Sequence, residues 1–333
     1  MSTSMKTLLG AALVAAAAIG TAFPAAEAEA RELKFGHLAN EQNVWHRAAM
    51  KFAEELDRRT DGELQVQVFP NESLGREMDL INGLQLGTVD FTITGESLQN
   101  WAPKAALLAI PYALDSLEQL DQVASGPIGE EVEQQIIERA QVRPIAYFAR
   151  GPRELTSNRP ITTPDELNGL RMRVPNVPLF VTVWQELGAR PTPMAFSEVF
   201  TALQNNTIDA QENPLALIKS ANFNEVQSHV NMTDHVRSWI YVVISEQTFN
   251  SLDDEHRQAV LDAAQAMQEY ERGLFLEDEE QLRADLQERG MTFVDTDNEA
   301  FAEKARPVVM DAVDAEVRPL LERIMETSVS ASP

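Results

Sequence analysis

Hydrophobic and polar positions repeat along this chain with two periods. Leu33-Lys34-Phe35-Gly36-His37-Leu38 and Leu64-Gln65-Val66-Gln67-Val68-Phe69 alternate with period two and predict strands. Between them, Val44, Ala48, Phe52 and Leu56 fall at helical spacing and predict a helix over Val44 to Asp57. A strand, a helix and a strand in this order imply parallel pairing in an α/β sheet. The same logic continues. A helix runs to Leu86 and stops at Gly87, and Val89 to Ile93 is a short strand. Ser116 resembles a helix cap, Ile128 to Ala140 is amphipathic, and Arg143 to Ala149 is a strand running on to Arg153. Thr163-Pro164-Asp165-Glu166 carries a cap, a first-turn proline and an acid at the third position, and predicts a helix start.

The stretch from Arg171 to Pro214 is the densest. Arg171 to Val174 predicts a strand, Val177 to Leu187 a helix, and Ser197 the cap of another helix through Leu203. Arg190 to Phe196 is Pro-rich and reads as a connection, and Ile208 to Gln211 as the next strand. An internal echo links this region to the first half. Leu84-Gln-Leu-Gly-Thr-Val-Asp-Phe91 matches Leu203-Gln-Asn-Asn-Thr-Ile-Asp-Ala210, each a helix end, a turn and a strand entry. Two lobes built alike, each presenting a polar strand end to a shared cleft, follow from it. Trp239 to Ile244 predicts a strand. A helical pattern from Ser251 to about Arg289, with Gly273 inside and Gly290 as stop, predicts one long helix bent at Gly273 and lying across both lobes. Ala300 to Met325 predicts helix interrupted at Pro307 and Pro319.

Composition narrows the reading. The 333 residues suffice for two cores. Residues 1–30 carry Lys6, an apolar run from Leu8 to Ala22 and small-x-small sites ending at Ala28 and Ala30, the pattern of a cleaved export signal. The apolar run is short of the ~20 residues that span a bilayer. The mature chain is expected to start near Arg31 and to reside in the periplasm. The formal charge is −25, with six lysines, which argues against nucleic acid and anionic membranes as partners. Any anion site must then rest on local arginines. No cysteine is present, so disulfides, thiol catalysis and thiolate metal sites are excluded. The five histidines are scattered, no metal site is expected, and neither a phosphate loop nor a Gly-x-Ser-x-Gly elbow occurs. No cofactor and no catalytic residue is expected. A secreted sugar-acid hydrolase or lyase is the alternative from another class.

Arginines at strand ends carry the positive signal. Arg173 precedes Val174-Pro175-Asn176, and Arg153 follows Gly151-Pro152. A guanidinium offers a carboxylate two parallel charge-assisted hydrogen bonds.

Four segments, Arg153-Glu-Leu-Thr-Ser-Asn-Arg-Pro160, Gly169-Leu-Arg-Met-Arg-Val-Pro-Asn176, Pro191-Thr-Pro-Met-Ala-Phe-Ser-Glu-Val-Phe200 and Asp209-Ala-Gln-Glu-Asn-Pro214, together resemble the solute-binding subunits of tripartite ATP-independent periplasmic (TRAP) transporters, the DctP type. Sialic-acid-binding members are especially similar through this middle region. The resemblance implies a two-lobed α/β periplasmic binding protein, type II-like, with hinge strands and a long lobe-spanning helix. It implies lobe I as 31–150 plus 239–278, lobe II as 151–238 plus 279–333, and a hinge near Arg150 and Trp239. Arg173 matches the arginine that clamps the ligand carboxylate, Arg153 a second ligand-contacting arginine, and Asn213 the asparagine that orients the carboxylate. Phe196 matches a pocket aromatic and Glu96 a first-lobe polar contact. His37, Arg76, Asn176 and Trp239 complete the expected ligand-binding set. The first lobe departs from the sialic-acid pattern, with Gln99 near an expected arginine and Leu38 at an expected asparagine. A smaller sugar acid such as a uronate is the first expectation, and a C4-dicarboxylate, another organic acid or sialic acid the alternatives. The implied partners are the small and large membrane subunits of the transporter, and the protein is expected to be monomeric.

Overall fold

The structure is a computed structural model and describes residues 30–330. The expected export signal lies outside the described residues. The chain runs β1 (Arg31–Gly36), α1 (Val44–Arg59), β2 (Leu64–Phe69), α2 (Glu77–Gln85), β3 (Phe91–Thr94), α3 (Leu117–Ala124), α4 (Pro127–Gln135) and β4 (Val142–Ser157). There follow β5 (Arg171–Val174), α5 (Pro178–Glu186), β6 (Arg190–Pro193), α6 (Phe196–Gln204), β7 (Ala210–Pro214), α7 (Leu215–Ser220) and β8 (His229–Ser245). The chain closes with α8 (Glu246–Ser251), α9 (Asp254–Glu288), β9 (Thr292–Asp295), α10 (Asn298–Ala312) and α11 (Arg318–Ser330).

The strands form one mixed sheet in the order β2-β1-β3-β8-β4-β7-β5-β6, with β9 beside β8. Its two ends are built alike. β1 lies parallel to β2 and β3, and β5 lies parallel to β6 and β7. β3 then meets β8, and β7 meets β4, both antiparallel. The long strands β4 and β8 pair with each other and connect the two ends. This is the two-lobed α/β architecture that the sequence predicts.

The internal echo is a structural equivalence. The Asp90 amide donates to Lys34 O at 3.0 Å, and the Lys34 amide donates to the Asp90 carboxylate at 2.8 Å. In the second half the Asp209 amide donates to Arg171 O at 2.7 Å, and the Arg171 amide to the Asp209 carboxylate at 3.3 Å. Thr88 and Thr207 close both preceding helices through their amides at 2.9 Å. The left-handed turn residue is Gly87 in one copy and Asn206 in the other, the residue types that tolerate positive φ. Each aspartate thus ties its strand entry to the neighbouring parallel strand.

Several expectations are corrected. Thr163 does form a capping box with Glu166, but the turn it starts is a single 3₁₀ turn, Pro164–Leu167, because Gly169 follows at once in the left-handed region. Ser197 does not cap α6; Ala195 stands in extended backbone at that position and Ser197 is already helical. The Pro-rich connection contains β6, whose residues Arg190 to Pro193 register with Arg171 to Val174. Pro307 does not interrupt α10, which ends at Ala312, and Pro319 sits in the first turn of α11, where its missing N–H costs nothing. The single long helix expected through Gly273 is present as α9, Asp254–Glu288.

α9 joins two cores. Val260, Ala263, Ala264 and Met267 pack with α1 and β1, while Leu282 and Leu286 pack with α6 and α7. α11 packs on first-half helices: Arg323 pairs with Glu131 at 2.6 Å, and Gln119 reaches Ile324 O. Near the crossing strands α9 buries Glu271, 1% exposed, beside a cavity of about 30 Å³ lined by Asn43, Arg150, Gly151 and Pro214. Its Oε1 has no hydrogen-bond partner among the described residues, and burial pushes its pKa up to about 8. A folded-state pKa above the unfolded value favours folding fully below pH ~4 and ceases to do so as pH rises through about 8. Glu271→Gln should therefore match the wild type near pH 5 and exceed it by roughly 2–4 kcal/mol near pH 9. Urea titrations of both proteins across that range check this, and a pH-independent difference would refute it.

Candidate functional site

The carboxyl ends of β3, β5 and β7 converge on a cleft, as strand ends do in open α/β sheets. The cleft encloses about 310 Å³, at the small end of the ~300–1,000 Å³ typical of small-molecule sites. Seven of the nine expected ligand-binding residues line it: Arg173, Arg153, Asn213, Glu96, Phe196, Arg76 and Asn176. Two do not. His37 is fully buried, its Nε2 3.2 Å from Nδ1 of His46, and the next residue, Leu38, faces the cleft in its place. Burial and His46 hold the His37 pKa down to about 4. Trp239 is fully buried against Tyr241, with ring centroids 6.4 Å apart. Period-two alternation at strand ends puts such neighbours on opposite faces, and the sequence does not say which face meets the cleft.

The cleft floor is a chain of buried charges. Arg153 on β4 donates from Nε to Glu212 Oε2 at 2.5 Å and from Nη2 to Glu212 Oε1 at 2.7 Å. It also donates from Nη1 to Glu96 Oε1 at 3.1 Å and from Nη2 to Asn213 Oδ1 at 3.3 Å. Arg150 donates to Glu96 Oε2 at 2.7 Å and, through Nε, to the Ser238 hydroxyl at 2.9 Å. Residues three apart in a regular strand face opposite sides. Here the β4–β8 register slips between Arg150 and Arg153, at Gly151-Pro152, and both guanidinium groups reach Glu96. Burial opposes ionisation of Glu96, but Arg150 and Arg153 outweigh it and hold its pKa near 2.

His235 extends the chain. Its Nε2 lies 2.9 Å from Glu212 Oε2 and its Nδ1 2.8 Å from the Thr233 hydroxyl. Burial lowers the His235 pKa, with Glu212 opposing. The neutral ring then donates from Nε2 and accepts at Nδ1. Burial also opposes ionisation of Glu212, but Arg153 and His235 prevail and its pKa stays below the usual value.

Arg173 differs from both other arginines. It is the third residue of β5, 4% exposed, and its Nε donates to Met194 O at 2.9 Å. Its guanidinium carbon lies 6.0 Å from the centroid of Phe196, the first residue of α6. Among the described residues its two terminal nitrogens make no hydrogen bond and no acid lies within ion-pair distance. Burial lowers its pKa to about 10, so it is charged at neutral pH. The buried, singly anchored guanidinium thus leaves its fork of terminal donors free, the geometry that a carboxylate matches with two parallel hydrogen bonds. Asn213, beside it, has its amide nitrogen on Gln211 Oε1 at 2.6 Å.

Opposite stands an acidic wall. Glu77 opens α2, and its two oxygens accept from the Thr94 hydroxyl at 2.7 Å and the Ser97 hydroxyl at 2.9 Å. Arg76 pairs at 2.6 Å with Glu198 of α6 across the cleft mouth. Sequence reasoning missed Glu77 as a lining residue and read Arg150 only as a hinge position. The start of a helix right after Gly75-Arg76 was the available signal for Glu77.

A model of the bacterial extracellular solute-binding protein family 7, DctP, matches residues 35–315. The chain belongs to the DctP family of TRAP solute-binding proteins. A solute-binding protein of Roseobacter denitrificans is 63% identical over 322 residues, spanning 97% of this chain and 98% of that one. The crystal structure of a TRAP periplasmic solute-binding protein from the same species, with bound L-galactonate, superposes with a TM-score of 0.87 at 66% identity, covering 88% of this chain and 98% of that one. A second R. denitrificans TRAP solute-binding protein, with bound β-D-glucuronate, gives a TM-score of 0.85 at 29% identity over 88% and 99% of the two chains. This DctP-family protein is thus the solute-binding component of a TRAP transporter, in a family of binding proteins rather than enzymes. Among the described residues no helix is long and apolar enough to cross a membrane.

The buried charge chain is expected to hold the cleft together. Glu212→Gln leaves Arg153 without its charged partner and should cost about 3–5 kcal/mol of stability, measurable by urea unfolding at pH 7. A cost below about 1 kcal/mol would mean that Glu96 alone suffices for Arg153.

Proposed function

We propose that this protein captures a six-carbon sugar acid bearing one carboxylate, of the galactonate kind, and delivers it to the transporter's membrane subunits. The observation that carries this reading is the Arg173 guanidinium, buried in the cleft without an acidic partner in a chain that has 52 acidic residues. A ligand carboxylate docks on that fork, with Asn213 and Asn176 beside it and Phe196 beneath. The Roseobacter protein with L-galactonate, at 66% identity, favours an open-chain acid over the uronate expected from sequence. A uronate is the second reading, supported by the glucuronate-bound neighbour at 29% identity.

Capture works by closure. The first-half strands β1–β3 and the second-half strands β5–β7 move about β4 and β8, where Ala149 and Arg150 register with Trp239 and Ser238. Lobe I then comprises residues 31–150 and 239–278 together with α11, and lobe II the remainder. The ligand favours closure only by its extra affinity for the closed form. That form, acting as a monomer, would dock on the small and large membrane subunits after export through the N-terminal signal. Arg76–Glu198, Asn100–Asn176 O at 3.0 Å and Asn40–Ser220 O at 2.6 Å join the two halves around the cleft and fit a closed state.

Calorimetry with L-galactonate tests the site. Arg173→Ala should lose about 2–5 kcal/mol of binding free energy, because the ligand's buried carboxylate is left unpaired. Arg173→Lys should recover only part, since a point charge lacks the planar fork. Near-wild-type affinity in Arg173→Ala would overturn the assignment.

A further inference from the structure

The charges that line the cleft do not cancel evenly along its length. On the strand-end side, Arg150 and Arg153 are matched by Glu96 and Glu212 through the hydrogen bonds described above. Arg173 is left over as one unmatched positive charge. The first-half wall around the start of α2 has the reverse excess. Arg76 is matched by Glu198, and Glu77 has no cation within ion-pair distance among the described residues. Glu72 and Asp79 face the same space. One oxygen of each accepts from a backbone amide, Ser197 to Glu72 at 3.3 Å and Arg76 to Asp79 at 3.2 Å, and among the described residues no cation lies in ion-pair reach of either.

A ligand with a carboxylate on Arg173 therefore meets hydrogen-bond acceptors along the remainder of its length. Hydroxyl groups satisfy those acceptors as donors. A second carboxylate offers none and is repelled. Glu77 is the member of the wall whose position is best fixed, since the Thr94 and Ser97 hydroxyls each hold one of its oxygens.

We infer that Glu77 is a specificity-determining residue, selecting polyhydroxy acids with one carboxylate against dicarboxylates of the same carbon skeleton. This rests on the sugar-acid reading of the cleft and sharpens it, since a dicarboxylate is one of the ligand classes the sequence leaves open. Burial and the neighbouring Glu96 raise the Glu77 pKa, against the Thr94 and Ser97 hydroxyls and the more distant Arg150, with Arg153 and Arg173 also in electrostatic reach of Glu77. A dicarboxylate raises it further by repulsion, so its binding should take up a proton and strengthen as pH falls.

The test is titration calorimetry of the intact mature protein with L-galactonate and with galactarate, which carries a second carboxylate at the far end of a six-carbon chain. At pH 8 the wild type should bind galactarate about 100-fold or more weaker than galactonate, and the gap should narrow toward pH 5.5. The readout is the ratio of the two affinities. Glu77→Gln should narrow it by about tenfold or more, and Glu77→Asp, which keeps the charge, should leave it wide. Wild-type affinities within tenfold of each other at pH 8, or an unchanged ratio in Glu77→Gln, would overturn the inference. Failure of the wild type to bind either acid would overturn the sugar-acid reading itself.

Discussion

The pairing of Arg153 with Glu212 inside the cleft floor is the interaction on which the remaining geometry depends. Two charges are taken almost completely out of water, and such a pair persists only when every remaining donor and acceptor is satisfied. Glu96, Asn213 and His235 supply those partners from the end of β3, from β7 and from β8. The chain of charges therefore links both ends of the sheet across the crossing strands. It also spends its own arginines. Arg150 and Arg153 are neutralised by the protein, and the attraction for an anion falls to Arg173 alone.

This division explains how an acidic protein can bind an acid. At long range the −25 charge opposes an anionic ligand. In the cleft the effective medium is less polar than water, so one buried guanidinium dominates its surroundings. Arg173 is held by Met194 O and backed by Phe196, neither of which neutralises it. The first-half wall is acid-rich, so the cleft carries an unpaired guanidinium from one half and carboxylates from the other.

The two halves reach the cleft by the same local device. Asp90 and Asp209 each fasten a strand entry to the adjacent parallel strand, so that β3 and β7 each start beside a fixed neighbour. The residues delivered there then differ: Thr94 and Glu96 in one half, Glu212 and Asn213 in the other. A shared scaffold thus carries an acid-rich side and a guanidinium-bearing side.

Much of this was legible in the residues. Period-two and period-3.6 patterns set most strands and helices because burial of one face is a local property of the sequence. The Thr-Val-Asp and Thr-Ile-Asp echo announced the repeated lobe, and the strand-end position of Arg173 announced its place in the cleft. Other features depended on residues far apart in the chain. Arg153 and Glu96 read alike as ligand contacts; both line the cleft, but their pairing with Glu212 and Arg150 was not legible, because it needs the register slip at Gly151-Pro152 that turns both arginines to one side. His37 and Leu38 could exchange roles on paper, and packing against Phe35 and His46 turned the histidine inward. The sequence by itself determined which elements form and which residue types reach the strand ends. Only the tertiary structure decided which arginine remains unpaired, since pairing is settled by distances between separate strands and not by order along one.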